Sequence, residues 1–200
     1  TSRVIGDYRM VFIFEGTDGT GKDTQIEKLV DYFNYKNIFP LVISSSNLHC
    51  NVDKIKYREL SLNRYTNLFS FIDYCAKLEE VFIFNRCHLS EYVYSPLYRN
   101  YDGYFVFALE NNVSKEMLDN NIVLITFIGD ADQVLKRDTE RGDNKSFSYD
   151  IEMRKKEIDK FEEAHNLSRI AHKTIINITG KSIDKIHKEI CSFYKKFWSF

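Results

Sequence analysis

The sequence predicts an α/β fold with a mainly parallel five-stranded sheet flanked by helices on both faces, and two observations carry that prediction. Five short apolar runs, MVFIF (10–14), PLVIS (40–44), VFIF (81–84), IVLITFI (122–128) and KTIINIT (173–179), alternate with longer helix-like segments. Strands buried on both faces require such continuous runs, and strand–helix alternation is the pattern of parallel crossovers. The second observation is FEGTDGTGKDTQ, residues 14–25, in which a complete G-x-x-x-x-G-K frame from Gly16 to Lys22 follows the first run. A glycine-rich loop between a buried strand and a helix is the setting in which backbone N–H groups cradle phosphates.

Taken in order, the run 10–14 reads as the first strand and the loop opens a helix over 22–36. PLVIS is the second strand, followed by a long helix over 57–80. VFIF is the third, followed by a segment, 88–112, that is helical in pieces. IVLITFI and a helix over 130–141 come next, then a helix over 150–170, the strand KTIINIT and a last helix over 182–198. The alternating charges of IEMRKKEIDKFEEAH (151–165) read as a solvated helix with i to i+4 pairs. Pro40 and Pro96 are the only prolines, and no repeat, linker or low-complexity tract interrupts the chain, so residues 1–200 are expected to form one domain.

Composition narrows the function classes. At 44% hydrophobic and 28% charged residues the chain is too apolar to be disordered. Sixteen Phe and thirteen Tyr fit a Phe-rich core with Tyr at its edges better than a base-stacking surface. A net charge of -1 with interspersed signs supplies no global field for duplex DNA, so a nucleic-acid partner is not expected, although a local anion site is. Cys50, Cys75, Cys87 and Cys191 show no paired spacing and read as reduced, buried thiols, which points to the cytoplasm. No run is long enough to span a membrane and no leader pattern opens the chain. His49, His88, His165, His172 and His187 lack metal-ligand spacing, and His88 is expected to line the pocket beside Arg86.

The loop residues Gly16, Thr17, Gly19, Thr20, Gly21, Lys22, Asp23 and Thr24 form the candidate ATP-binding set. Lys22 would hold the β- and γ-phosphates, and the Thr24 hydroxyl can reach the α-phosphate. Asp23 is anomalous, because a phosphate-binding loop normally offers a serine or threonine hydroxyl to Mg²⁺ at that position.

With the first strand, FEGTDGTGKDTQ and FNRCHLSEYVY in view, the chain resembles the thymidylate kinase family and, more broadly, deoxynucleoside monophosphate kinases including those of bacteriophages. The likeness spans nearly the whole chain and rests on Glu15 to Lys22, on Asn63 with Arg64, on Asn85, Arg86, Ser90 and Tyr94, and on GDADQVLKRDTERGD (129–143). The resemblance implies a P-loop kinase that uses ATP and Mg²⁺, with catalytic cations Lys22, Arg86, Arg137 and Arg141, a lid at about 137–149, and homodimerisation. Asp18, Arg64, Arg86, Ser90 and Tyr94 would bind substrate: Asp18 the sugar 3'-hydroxyl, Arg86 the acceptor phosphate and Arg64 the base. From chemistry alone Asp18 is also a common turn residue, Arg86 a candidate surface ion pair and Arg64 a candidate solvated side chain.

The chain departs from the family at paired positions. Relatives carry a loop hydroxyl and an acidic residue after the third strand, whereas here the first is Asp23 and the second Asn85, so the single carboxylate is expected to have moved across the metal, with both residues as metal-site candidates. Gly19 stands where some relatives have an arginine, which leaves the transition-state charge to the lid. The acceptor is read as a monophosphate, since a phosphate is already an ionised nucleophile near pH 7 and the segment LVISSSN has no carboxylate to serve as general base for a hydroxyl. Thymidylate leads, yet SSSNLHCNVDK lacks the family's arginine and Leu60 falls near its stacking phenylalanine, leaving Tyr57, Phe69 or Phe71 as substitutes. The other readings are a P-loop kinase acting on hydroxymethylated bases in DNA, a nucleoside kinase, and a non-enzymatic ATP-binding protein.

Overall fold

The computed structural model describes residues 9–44, 53–142 and 147–198. Along the chain run β1 (Met10–Gly16), α1 (Lys22–Tyr35), β2 (Leu41–Ser44), α2 (Lys54–Lys77), β3 (Val81–Asn85), α3 (His88–Tyr94), α4 (Phe105–Leu109), α5 (Lys115–Asn120), β4 (Ile122–Ile128), α6 (Ala131–Arg141), α7 (Ile151–Leu167), β5 (His172–Asn177) and α8 (Ile183–Tyr194). A π-helical turn, Ser95–Arg99, continues α3, and a 3₁₀ turn, Glu110–Asn112, continues α4.

The five strands form one sheet in the order β2-β3-β1-β4-β5, and every neighbouring pair is parallel. Side chains alternate across it, as the two-residue period of a strand dictates. Met10, Phe12 and Phe14 pack with α1 and α8 on one face, while Val11 and Ile13 pack with α2, α3 and α7 on the other. β3 and β4 divide their residues in the same way, so the apolar runs are continuous because both faces are covered. The β2 edge is more open, with Leu41 and Val42 exposed. Aromatic rings fill the α1/α8 side: Phe12 meets Tyr194 edge-on at 5.5 Å and Phe14 stacks on Phe127 at 5.7 Å.

This topology sets where a site can form. The crossover from β1 leads to the β2 edge, whereas that from β3 leads to β4 on the opposite side of β1. A crevice therefore opens beyond the carboxyl end of β1, where the winding reverses.

Three expectations change. His88 is fully buried, bonded through Nε2 to Glu110 at 2.9 Å between the rings of Phe69 and Phe107, so it belongs to the core and not to a pocket. Phe69 is likewise core. α7 is not solvated throughout, because Arg154 and Glu157 are buried on the same stripe as Ile158, Phe161 and Ala164. Cys75, Cys87 and Cys191 are buried free thiols; His49, Cys50 and the rest of the segment 45–52 lie outside the described residues, as do residues 143–146 of the expected lid.

Candidate active site

The loop between β1 and α1 is shaped by close packing. Gly16 has φ +136, and a Cβ there would fall 2.5 Å from the Phe127 carbonyl oxygen. Gly19 has φ +82, and its Cβ would fall 2.3 Å from the Val134 carbonyl oxygen and 3.0 Å from Asp138 Cβ. Any side chain at Gly19 would collide with the backbone of α6, which is a local reason for the absence of an arginine. Asp53, Asp130, Asp150 and Ser182 cap α2, α6, α7 and α8 with their side chains. α1 instead begins after Gly21 without a side-chain cap, as suits a helix start that faces an anion.

A cavity of about 590 Å³ opens over this loop. Asp18 to Gln25 line it from the loop and α1, Asn85 and Arg86 from the end of β3, Arg137 and Arg141 from α6, and Ile183 and Ile186 from α8. Arg137 and Arg141, four residues apart, lie on one side of α6, and Arg141 is held by Asp138 at 3.0 Å. Lys22, Arg86, Arg137 and Arg141 thus converge on a cavity that contains the carboxylates of Asp18 and Asp23, an excess of cationic groups suited to polyphosphate.

Arg86 is fixed by its whole surroundings. It adopts φ 69, a left-handed conformation that costs a non-glycine residue about 1 kcal/mol or more. Its backbone N–H donates to the Phe14 carbonyl at 2.9 Å, tying the turn to β1. Nη1 donates to the Gly16 carbonyl at 2.9 Å, the Tyr94 hydroxyl at 3.1 Å and Ser90 Oγ at 3.3 Å, and Nη2 pairs with Asp18 Oδ1. The buried carboxylate of Glu15 supports this arrangement from below: it accepts from the backbone N–H groups of Cys87, Leu89 and Ser90 and from the Ser90 hydroxyl at 2.6 Å. Ser90 therefore turns toward the frame behind Arg86, and Tyr94 is buried against the guanidinium.

On the other side of the loop Asn85 Nδ2 donates to Asp23 Oδ1 at 2.7 Å. Both side chains line the cavity, and their oxygens suit a hard divalent cation that takes most of its remaining ligands from phosphates and water. Among the described residues no group of three or more His, Cys, Asp or Glu could hold a metal by itself. Arg64 is placed differently: it lies over the Tyr65 ring at 5.6 Å and is not part of the cavity lining.

Burial dominates the electrostatics of Lys22. It pushes the ammonium pKa down to about 7, helped by nearby Arg86 and opposed by Asp18, Asp23 and Glu15. Lys22 Nζ meanwhile donates to the Thr17 carbonyl at 2.9 Å. Asp18 moves the other way: burial alone would raise it, but Arg86, Lys22, Arg141 and Arg154 together hold it down at about 2, so it is ionised at neutral pH.

The sequence reading named Glu15 within the loop motif but gave it no role, and it missed Asp138, Arg154 and Glu157. The last two carried a signal, since they fall at i and i+3 on the stripe continued by Ile158 and Phe161, a buried face on which ionic side chains need partners. Asp138 carried none, because its buried partner Arg154 comes from another helix.

No protein-family model matches the sequence, and no curated protein matches it. Solved structures do. Thymidylate kinase from Ehrlichia chaffeensis is similar with a TM-score of 0.64 at 16% identity, over 92% of this chain and 97% of that one. Thymidylate kinase from Candida albicans, whose structure is described as revealing the origin of broad substrate specificity, gives 0.62 at 12% identity over 94% and 91%. The YorR protein of Bacillus subtilis, in complex with phosphorylated GDP, gives 0.62 at 16% identity over 96% and 100%. The chain shares the fold of these three proteins over almost its full length, and in this chain that fold is a five-stranded parallel sheet flanked by helices.

Proposed function

We propose that this protein transfers the γ-phosphoryl group of ATP to a deoxynucleoside monophosphate, with thymidylate the leading acceptor. The observation that supports it best is the convergence of Lys22, Arg86, Arg137 and Arg141 on one cavity over the glycine-rich loop. Phosphoryl transfer asks a protein mainly for position and charge neutralisation, and this arrangement provides both.

In this reading the backbone from Gly16 to Gly21, with Thr17 and Thr20 bracing it from inside, binds the donor phosphates, and Lys22 releases the Thr17 carbonyl to meet them. Thr24 bonds the α-phosphate. Arg86, held by Gly16, Tyr94 and Asp18, meets the acceptor phosphate, and Asp18 accepts from the sugar 3'-hydroxyl. Arg137 and Arg141 approach the transferring group as the lid, about 137–149, closes and excludes water. Asp23 and Asn85 are the residues that would hold a Mg²⁺ ion at this cavity, and the chemistry it would supply is neutralisation of phosphate charge. Ser90 and Tyr94 serve as positioning groups for Arg86, and the base-reading role that the resemblance implies for Arg64 is supported by the resemblance alone, since Arg64 lies over Tyr65 and outside the cavity lining.

Base choice rests on the acceptor wall. Phe71 packs on Phe84, so of the candidate stacking rings Tyr57 is the one joined to the site: Arg99 lies over it and over Phe147, and Phe147 packs on Tyr94. This wall differs from the family pattern, which supports a broad or modified pyrimidine range alongside thymidylate. The exposed α2 side chains Ile55, Leu60, Phe71 and Tyr74 offer a face for a second copy. Buried free thiols fit a cytoplasmic location, and no helix among the described residues is long and apolar enough to cross a membrane. The reading is tested by ADP release from Mg²⁺-ATP with each deoxynucleoside monophosphate, thymidine and hydroxymethylated DNA supplied in turn.

A further inference from the structure

Arg154 lies on α7, outside the cavity lining, and is the largest of the fully buried side chains. Its guanidinium joins segments that are far apart in the chain. Nη1 donates to Thr17 Oγ1, to the Asp18 carbonyl at 3.3 Å and to Glu157 Oε2 at 2.8 Å; Nη2 donates to Asp138 Oδ2 at 2.7 Å and to the Ser148 carbonyl at 3.1 Å. Glu157 also accepts from Thr17 Oγ1 and, at 2.5 Å, from the Tyr98 hydroxyl.

A buried ionic network of this kind contributes little net stability, because desolvation offsets most of its attraction. What it does contribute is geometry. A guanidinium is a rigid planar fork, so groups bonded to its two nitrogens are held at a set separation that a lysine point charge cannot impose. The groups here are the donor-phosphate loop on one side and, on the other, Asp138, which stands between Arg137 and Arg141 on α6 and holds Arg141 directly.

We propose that Arg154 is a positioning residue for phosphate recognition: it sets the distance between the phosphate loop and the α6 arginines, so that these meet the terminal phosphate of the nucleotide. The proposal rests on the donor-site reading above and deepens it. A purely structural role would make Arg154 important for folding without making it selective for one phosphate.

The test compares the protein with Arg154→Lys and Asp138→Asn, measuring thermal midpoint, ATP and ADP affinity by calorimetry, and kcat and KM for the acceptor. The expected result is that both variants fold, bind ADP as before and lose about tenfold in the preference for ATP over ADP, while kcat falls on the order of 100-fold, the scale of a small misplacement of reacting groups. An unchanged ATP-over-ADP ratio overturns the proposal, as does equal binding of ATP and ADP by the unaltered protein, or loss of the folded state in both variants. If the unaltered protein phosphorylates no acceptor but Arg154→Lys still abolishes its ATP preference, the kinase reading fails and the positioning role stands.

Discussion

The Asn85 amide nitrogen donates to the Asp23 carboxylate across 2.7 Å, joining the end of β3 to the first turn of α1. The paired positions after the loop lysine and at the end of β3, where the chain departs from the resembled pattern, are therefore in direct contact. One carboxylate and one amide can bond in this way, whereas two carboxylates at this distance would repel. The contact places the two residues of the proposed carboxylate exchange side by side.

Asp23→Ser should lower kcat/KM at fixed Mg²⁺ by roughly 100-fold or more, and adding Asn85→Asp should restore much of it, judged against the usual cost of disturbing metal-site groups. Mn²⁺ binding in the presence of nucleotide, followed by its paramagnetic spectrum, should weaken and recover in parallel. A double variant no better than the single one excludes the exchange.

Lys22 predicts proton uptake on nucleotide binding. Its pKa near 7 in the free protein leaves it mostly neutral at alkaline pH, and bound phosphates favour the charged form. Calorimetry in buffers of different ionisation enthalpy should show uptake approaching about one proton at pH near 8.5 and little at pH near 5.5. Proton release, or no linkage, at pH near 8.5 would contradict the assignment of Lys22 to the phosphates.

The buried His88–Glu110 pair predicts a pH-dependent stability away from the site. Burial opposes the His88 charge, but neighbouring Cys87 and the hydrogen bond that the imidazole donates to the Glu110 carboxylate outweigh it and raise the pKa to about 10. A folded-state pKa above the unfolded value of about 6.5 means that the contribution is complete below that pH and is lost as pH rises toward 10. His88→Phe should cost about 3 kcal/mol at pH 6, since Glu110 loses its buried charge partner and keeps the hydrogen bonds from Ser168 and Arg169, and should flatten the decline in stability between pH 7 and 10. Urea unfolding across that range decides it; an unchanged slope in the variant would assign the decline to other groups.

The strands were legible in the sequence because burial on both sheet faces makes each one a continuous apolar run. Where the run and the strand differ, pairing explains it: β1 continues past Phe14 because Glu15 and Gly16 still pair with Thr126 and Phe127 of β4. α2 starts at Lys54 instead of 57 because Asp53 caps it through the Lys56 N–H. α8 ends at Tyr194 although the apolar pattern runs on to Trp198, since the chain turns after Tyr194 and packs its rings on His172. The loop and Arg86 were readable as local motifs. Asp138 was not, and Glu15 and Arg154 were legible only as a motif residue and as part of a helix stripe, because what gives each its role is a partner from elsewhere in the chain.

The most direct test of the central claim is ³¹P NMR of the reaction of Mg²⁺-ATP with thymidylate. The account predicts protein-dependent loss of the ATP γ-phosphate signal matched by growth of the two coupled signals of thymidine diphosphate, with no free phosphate ahead of it. Signals of a phosphorylated DNA polymer with mononucleotides left untouched, or ATP bound but unchanged beside every deoxynucleoside monophosphate, would contradict it.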